Sequence, residues 1–386
     1  MRRIAWILLL IFAFAIPWEY SLELGEPLGN IARVVGVLLL LVAIPAILQT
    51  GRLRTPGVMQ WLVLALYLWF CCTYFWTIEP LVTLIRMRGY FQEMMIVWLV
   101  WEFAESAGDL RALMRAYVAG AWVLAVLTLA SFATAEAVAE QIRFAAAGQD
   151  PNDVARFLNL GFPLAALLVN SERRWWWRLL AVGYLPLGLV AVLLTASRGG
   201  FLAAVVALTG STVLLVYGHP KRILAGALAL PPIAALIWWI VPSGSFERLA
   251  TISEQLQGGG LNQRWNIWTA GWHAFVRAPV FGTGAGSFVS AAGLSPFDTA
   301  HNTALSIAVS GGLVALFLAV AIVAVAIWSI TQTKGPLRWA MTLTLLVWGI
   351  TSLVATVEEN RSTWLLLAMI ALAGRLAAEE PERLAA

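Results

Sequence analysis

Runs of about twenty apolar residues recur along almost the whole chain, each the length a helix needs to cross the roughly 30 Å hydrocarbon core of a bilayer. In that solvent every backbone amide and carbonyl must be satisfied inside its own helix or across a closed barrel, which leaves two architectures. Strands of alternating polarity are absent, so the expected fold is all-α. With 61% hydrophobic and 12% charged residues, the chain departs far from the makeup of soluble domains. No nucleic-acid partner is expected; membrane lipids are.

The expected spans are residues 4–18, 28–48, 58–76, 81–103, 112–133, 153–170, 179–196, 199–217, 223–241, 303–328, 339–357 and 362–378. They make about twelve transmembrane helices within a single integral membrane domain, 1–386. Arg2 and Arg3, Arg52 and Arg54, Arg111 and Arg115, the group Arg173, Arg174 and Arg178, Lys221 and Arg222, Lys334 and Arg338, and Arg375 and Arg383 fall on alternate connections. Basic residues near helix ends stay on the cytoplasmic side, so both termini are expected inside. Trp175, Trp176 and Trp177 beside Arg173 and Arg174 read as an interfacial aromatic belt. Arg2, Arg3 and the Ala13-Phe14-Ala15 triplet imitate a cleavable leader, but a retained first helix is favoured. Cys71 and Cys72 are adjacent inside a span and suggest neither a disulfide framework nor a metal site.

One long interruption of hydrophobicity, 242–302, is expected on the outer face with short amphipathic helices. Within it, Trp265, Ile267, Trp268, Trp272 and Phe275 predict a surface helix over Asn262 to Val276, ended by Pro279. The glycine-rich PVFGTGAGSF that follows suits either a sharp turn or a cradle for an anion.

The outer helix ends hold more arginine than orientation rules favour. Arg33, Arg86, Arg88, Arg156, Arg198 and Arg361 sit at or just inside that boundary, with Arg143, Arg248, Arg264 and Arg277 in outer loops. Snorkelling accounts for any one of them; the whole set asks for a shared anionic partner. Glu93, Asp153, Glu358 and Glu359 supply part of one. Asn152, Arg156 and Asn159 share one helical face, as do Arg86, Tyr90 and Glu93. Either stripe could line a ligand cavity; a buried pair of Glu93 with Arg86 is the structural alternative.

Arginine matches phosphate oxygens with a planar fork of donors and stays charged at every relevant pH. The outer loops contain no D-x-D motif or obvious carboxylate cluster for Mg²⁺, so no metal or other cofactor is expected. Two guanidiniums could neutralise a departing diphosphate, and His301 could accept a proton from a hydroxyl, or serve only structurally.

In order, DPNDVARFL, TASRGG, RWNIW, PVFGTGAGSF and HNTALSIAVSGGL cover roughly residues 148–325. Their succession resembles the bacterial O-antigen ligase and polymerase superfamily. The resemblance implies a polytopic glycosyltransferase of the GT-C type in the bacterial inner membrane, taking a glycan from undecaprenyl diphosphate at the periplasmic face. It implies catalytic roles for Arg198, Arg264 and His301; Arg86, Arg88, Asn152, Arg156, Asn302 and Arg361 are candidate substrate-binding residues from their own placement at the outer face. Lipid A-core is the favoured acceptor; another lipid-linked glycan, as in a polymerase, or a protein are alternatives. The loop is compact beside many such enzymes, which bears on acceptor recognition. A lipid-linked glycan transporter is the reading from another class, but its coupling residues would gather near the midplane rather than at one face.

Overall fold

A computed structural model describes residues 1–25, 28–51, 53–134, 143–216, 219, 221–252, 264–296 and 298–379. Arg52, Asn262 and Arg383, which enter the sequence-based expectations, lie outside these. The described residues form helices α1 (Arg2–Ala15), α2 (Ile31–Thr50), α3 (Val58–Cys72), α4 (Pro80–Phe103), α5 (Ala107–Ala133), α6 (Pro151–Ser171) and α7 (Trp175–Leu194). There follow α8 (Arg198–Val216), α9 (Lys221–Ile240), α10 (Ser243–Ala250), α11 (Arg264–Arg277), α12 (Phe288–Ala292), α13 (Thr303–Gln332), α14 (Gly335–Ser352) and α15 (Arg361–Glu379). The only β pairing among them is an isolated bridge between Glu23 and Asn30. The protein is an all-α polytopic membrane protein, and ten of its described helices are long and apolar enough to cross a bilayer. Of the twelve expected spans, α4 and α14 fall outside those ten. α4 carries Arg86, Arg88, Glu93 and Glu102, which lower its hydropathy.

Local chemistry sets the helix ends. Asn30 caps α2 by accepting from the Arg33 amide at 2.9 Å, and Gly51 closes the same helix in the left-handed conformation. Ser106 and Asp109 form a reciprocal capping box on α5. Asp150 caps α6 with Pro151 at its first position, and Asn302 caps α13.

α6 and α15 are the inner helices of the bundle. α6 packs against α5, α7, α8 and α14, and α15 against α4 and α13. Pro163 removes one amide from α6, and the hydroxyls of buried Tyr117 and Tyr184 donate to the carbonyls of Phe157 and Leu158 nearby, at 3.0 and 2.6 Å. α9 is the opposite case, with Trp238 and Trp239 each 82% exposed, as lipid-facing tryptophans near an interface would be.

α13 is broken at Gly312, whose φ of +68° is left-handed. The glycine-rich segment fills the break: Thr283 and Gly284 amides donate to the Val309 and Ser310 carbonyls, both at 2.9 Å, and the Leu313 amide donates to Pro279 at 2.8 Å. Backbone meets backbone so closely that a Cβ at Gly312 would lie 2.1 Å from the Val280 carbonyl oxygen. Of the two uses expected for this segment, it makes a turn, and these two amides are committed to α13. The same strap reaches the α3–α4 connection, where the Ile78 amide donates to the Thr283 carbonyl at 3.1 Å.

Candidate functional site

α7 gives way to α8 within TASR. Thr195 caps the turn, Ala196 takes a left-handed φ of +48°, and Arg198 opens α8. Ser197 Oγ accepts from the Gly200 amide at 3.2 Å and donates to Asn152 Oδ1 at 2.8 Å, joining the start of α8 to the start of α6. Gly200 is needed there because a Cβ would come within 2.4 Å of Ala155 Cβ. The turn's outward carbonyls collect two further arginines: Arg143 Nε donates to Thr195 O at 3.0 Å and Arg248 Nε to Ala196 O at 3.1 Å. Arg143 also donates to Asn152 Oδ1 at 2.9 Å, so Asn152 fixes both the turn and a guanidinium.

His301 is the only other non-glycine residue with positive φ among the described residues, at +46°. Such a conformation costs on the order of 1 kcal/mol or more and survives where surrounding bonds impose it. Here they do. Asn302 accepts from the Leu305 amide at 2.9 Å, and Thr303 Oγ1 donates to Ala355 O at 2.8 Å while accepting from the Val357 amide at 3.0 Å. His301 Nδ1 lies 3.2 Å from Thr299 Oγ1. On α11, Trp268 Nε1 donates to Ala300 O at 3.1 Å, and Arg264 shares its helix face at i−4.

These anchors bring Arg198, Arg264 and His301 into one electrostatic neighbourhood with Arg143 and Arg248. Burial lowers the Arg264 guanidinium from its ordinary value, and the charge of Arg198 adds to the shift. Burial and Arg198 act on Arg248 in the same way. Arg143 is pushed down to about 10, first by burial and then by Arg248 and Arg198 against the pull of Asp150. Burial, then the Arg264 charge, lower the His301 imidazole, opposed by Asp150 and Asp298. The neighbourhood therefore holds concentrated positive charge beside an imidazole that is neutral at neutral pH. Arg143 and Arg248, expected only as members of the outer-loop arginine set, join the candidate site itself. Each donates to a backbone carbonyl of the turn between α7 and α8, a contact that leaves no trace in side-chain spacing.

The remaining candidates are placed differently. Arg156 is buried, pairs with Asp153 at 2.9 Å and stands over the Phe157 ring, and Asn159 donates to Gly200 O at 2.8 Å inside the bundle. Arg86 pairs with Glu359 rather than with Glu93, and Arg361 pairs with Glu19 and donates to Gln92 at 2.6 Å. Glu358 is buried beside them; burial and the Glu359 charge push its carboxyl up to about 8, against a hydrogen bond with Ser306. Asn302 sits next to His301, with its amide 3.4 Å from Leu353 O. Arg88 is exposed on the wall of a separate apolar cavity. The described residues hold no group of three or more His, Cys, Asp or Glu placed for a metal ion.

Residues 183–320 match the sequence model of a family described as O-antigen ligase. No curated protein matches the chain. The matched stretch contains Arg198, Arg248, Arg264, His301 and the broken start of α13, and it supports the O-antigen ligase and polymerase superfamily for this multi-pass bacterial inner-membrane protein.

Proposed function

We propose, on the premise of that O-antigen ligase match, that the chain moves a glycan from undecaprenyl diphosphate to an acceptor hydroxyl without a metal ion, with lipid A-core as the acceptor. The observation that carries this reading is the run of neighbouring cations in which Arg143 and Arg248 lie by Arg198, Arg198 by Arg264, and Arg264 by His301. Four cations in one partly buried patch repel one another, an arrangement that a bound polyanion relieves. Arg198 also stands at the first turn of α8, where the helix dipole favours an anion.

In the reaction, the acceptor oxygen attacks the anomeric carbon as the bond from that carbon to the diphosphate oxygen breaks. The electron pair leaves with undecaprenyl diphosphate, whose growing charge the guanidiniums stabilise, a preorganised contribution commonly worth several kcal/mol. The acceptor proton passes to the neutral His301 imidazole, for which general-base assistance of about 10²–10⁴ in rate is typical. Attack opposite the leaving group inverts the anomeric centre.

Sidedness follows from basic residues at the other helix ends. Arg2, Arg54, Arg111, Arg115, Arg173, Arg174, Arg178, Lys221, Arg222, Lys334, Arg338 and Arg375 lie away from the His301 end, which favours cytoplasmic termini and a periplasmic site.

The test supplies purified protein with a defined undecaprenyl-diphosphate glycan and competing acceptors: lipid A-core, a second lipid-linked glycan and a protein. Transfer to lipid A-core in the presence of a chelator is the expected product. Transfer only to another acceptor replaces the ligase assignment, and a requirement for Mg²⁺ removes the metal-free mechanism.

A further inference from the structure

One cavity lies away from the arginine and histidine cluster. It measures about 720 Å³ and opens between α2 and α4, with Leu9 and Phe12 of α1 as its floor. α2 packs on α1, so α2 and α4 form separate walls with space between them. Its lining is almost wholly aliphatic and aromatic, but two guanidiniums stand on it, Arg33 in the first turn of α2 and Arg88 two turns into α4. Both helices start at the same end of the bundle. Arg33 and Arg88 are exposed, and neither forms an ion pair among the described residues, in contrast to Arg86 and Arg361.

α4 separates this cavity from the site loop. Arg86 and Arg88 are roughly 200° apart around the helix. Arg86 pairs with Glu359 and approaches Gly286, so Arg88 points the other way, into the cavity. From Leu81 to Leu99 the wall runs roughly 27 Å along α4 at 1.5 Å per residue. Arg33 opens α2 and Arg88 stands roughly 10 Å along that wall from Leu81, so both cations lie toward the end where the two helices start, and roughly 16 Å of apolar slot, about the depth of one leaflet, runs on past them.

We propose that this cavity is a second carrier-lipid site, holding a long polyprenyl chain against α1, α2 and α4 with its phosphate or diphosphate head between Arg33 and Arg88. The proposal rests on the transfer reading for the nature of the lipid, but its location is independent of the Arg198 and His301 cluster. Apolar burial supplies affinity along the chain, and the paired guanidiniums fix the head at one membrane face. No bond is made or broken there.

Native mass spectrometry of the purified full chain with added undecaprenyl diphosphate tests it. The wild type should retain two lipids, R198A/R264A one, and R33A/R88A one; loss of the head contacts should weaken the lateral site about tenfold or more. Val37→Trp, which fills the cavity and keeps both arginines, should also retain one, while R33K/R88K should keep much of the binding. Two lipids on both R33A/R88A and Val37→Trp overturn the proposal, as does displacement of the lateral lipid by equimolar phosphatidylglycerol, which would make it an ordinary phospholipid site. Transfer activity is scored separately: an inactive wild type that still loses one lipid in R33A/R88A defeats the enzyme reading and leaves this site standing.

Discussion

The indole of Trp268 donates its hydrogen bond to the carbonyl of Ala300, the residue before His301, at 3.1 Å. One bond thus ties the surface helix that carries Arg264 to the turn that presents the imidazole. Trp268→Phe keeps the ring and removes the donor. A net bond of this kind is worth about 1 kcal/mol, so transfer should fall by up to about tenfold with little change in melting temperature. Comparing kcat/KM and thermal unfolding of the two proteins checks this.

Arg198→Lys should cost far more than the retained charge suggests. An ammonium cannot reproduce the two-pronged contact of a guanidinium with a phosphate. Loss of one preorganised donor to developing charge typically reduces the rate by about 10²–10³. Single-turnover assays of Arg198→Lys and Arg264→Lys, with insertion verified by yield and monodispersity, measure it. Near-wild-type turnover would remove both from the diphosphate site.

The pH dependence has a defined sign. Burial and Arg264 hold the His301 imidazole below its ordinary value, with Asp150 and Asp298 opposing. If the neutral ring accepts the proton, kcat/KM rises with pH through that lowered value and is level at neutrality. Arg264→Gln removes a cation and should shift the acidic limb upward, in addition to lowering the plateau. An unmoved limb would separate the titration from His301.

Glu358 should couple stability to pH in the opposite sense from an ordinary surface carboxylate. Its folded value of about 8 lies above the usual 4.5, with Glu359, Ser306 and Arg86 as the neighbours that modulate it. The protonated form is therefore favoured by folding; its contribution is full below about 4.5 and is lost as pH rises through about 8. Glu358→Gln should flatten that part of the melting-temperature profile between pH 5 and 9. A profile identical to wild type contradicts the assignment.

Gly312→Ala should destabilise the protein without touching the cationic cluster. The new methyl group would sit 2.1 Å from the Val280 carbonyl oxygen at a left-handed backbone position. Strain of this kind costs about 1–3 kcal/mol, and the clash adds to it. A fall of several degrees in melting temperature in detergent is the expected reading.

Helices were the most legible part of the sequence, because bilayer thickness imposes a length that can be counted directly. The positions of Arg198 at a helix start and of His301 just before another were legible for the same reason. The partners of the remaining charges were not. Arg361 meets Glu19 from the other end of the chain, and Arg86 takes Glu359 although Glu93 lies on its own helix face. Helical periodicity ranks neighbours within one element and is silent on which distant helix packs beside it. The expected surface helix appears at Arg264–Arg277, whereas the break in α13 was hidden within an unbroken apolar run whose adjacent glycines permit it.

The seam between Thr283–Gly284 and Val309–Ser310 splices the outer segment to a spanning helix about two turns past that helix's start. Chimeras that exchange this segment should therefore be cut beyond Leu313 rather than at Asn302, so that donor loop and recipient carbonyls travel together. A transplant bounded at the apparent start of α13 would deliver one half of a zip without its teeth.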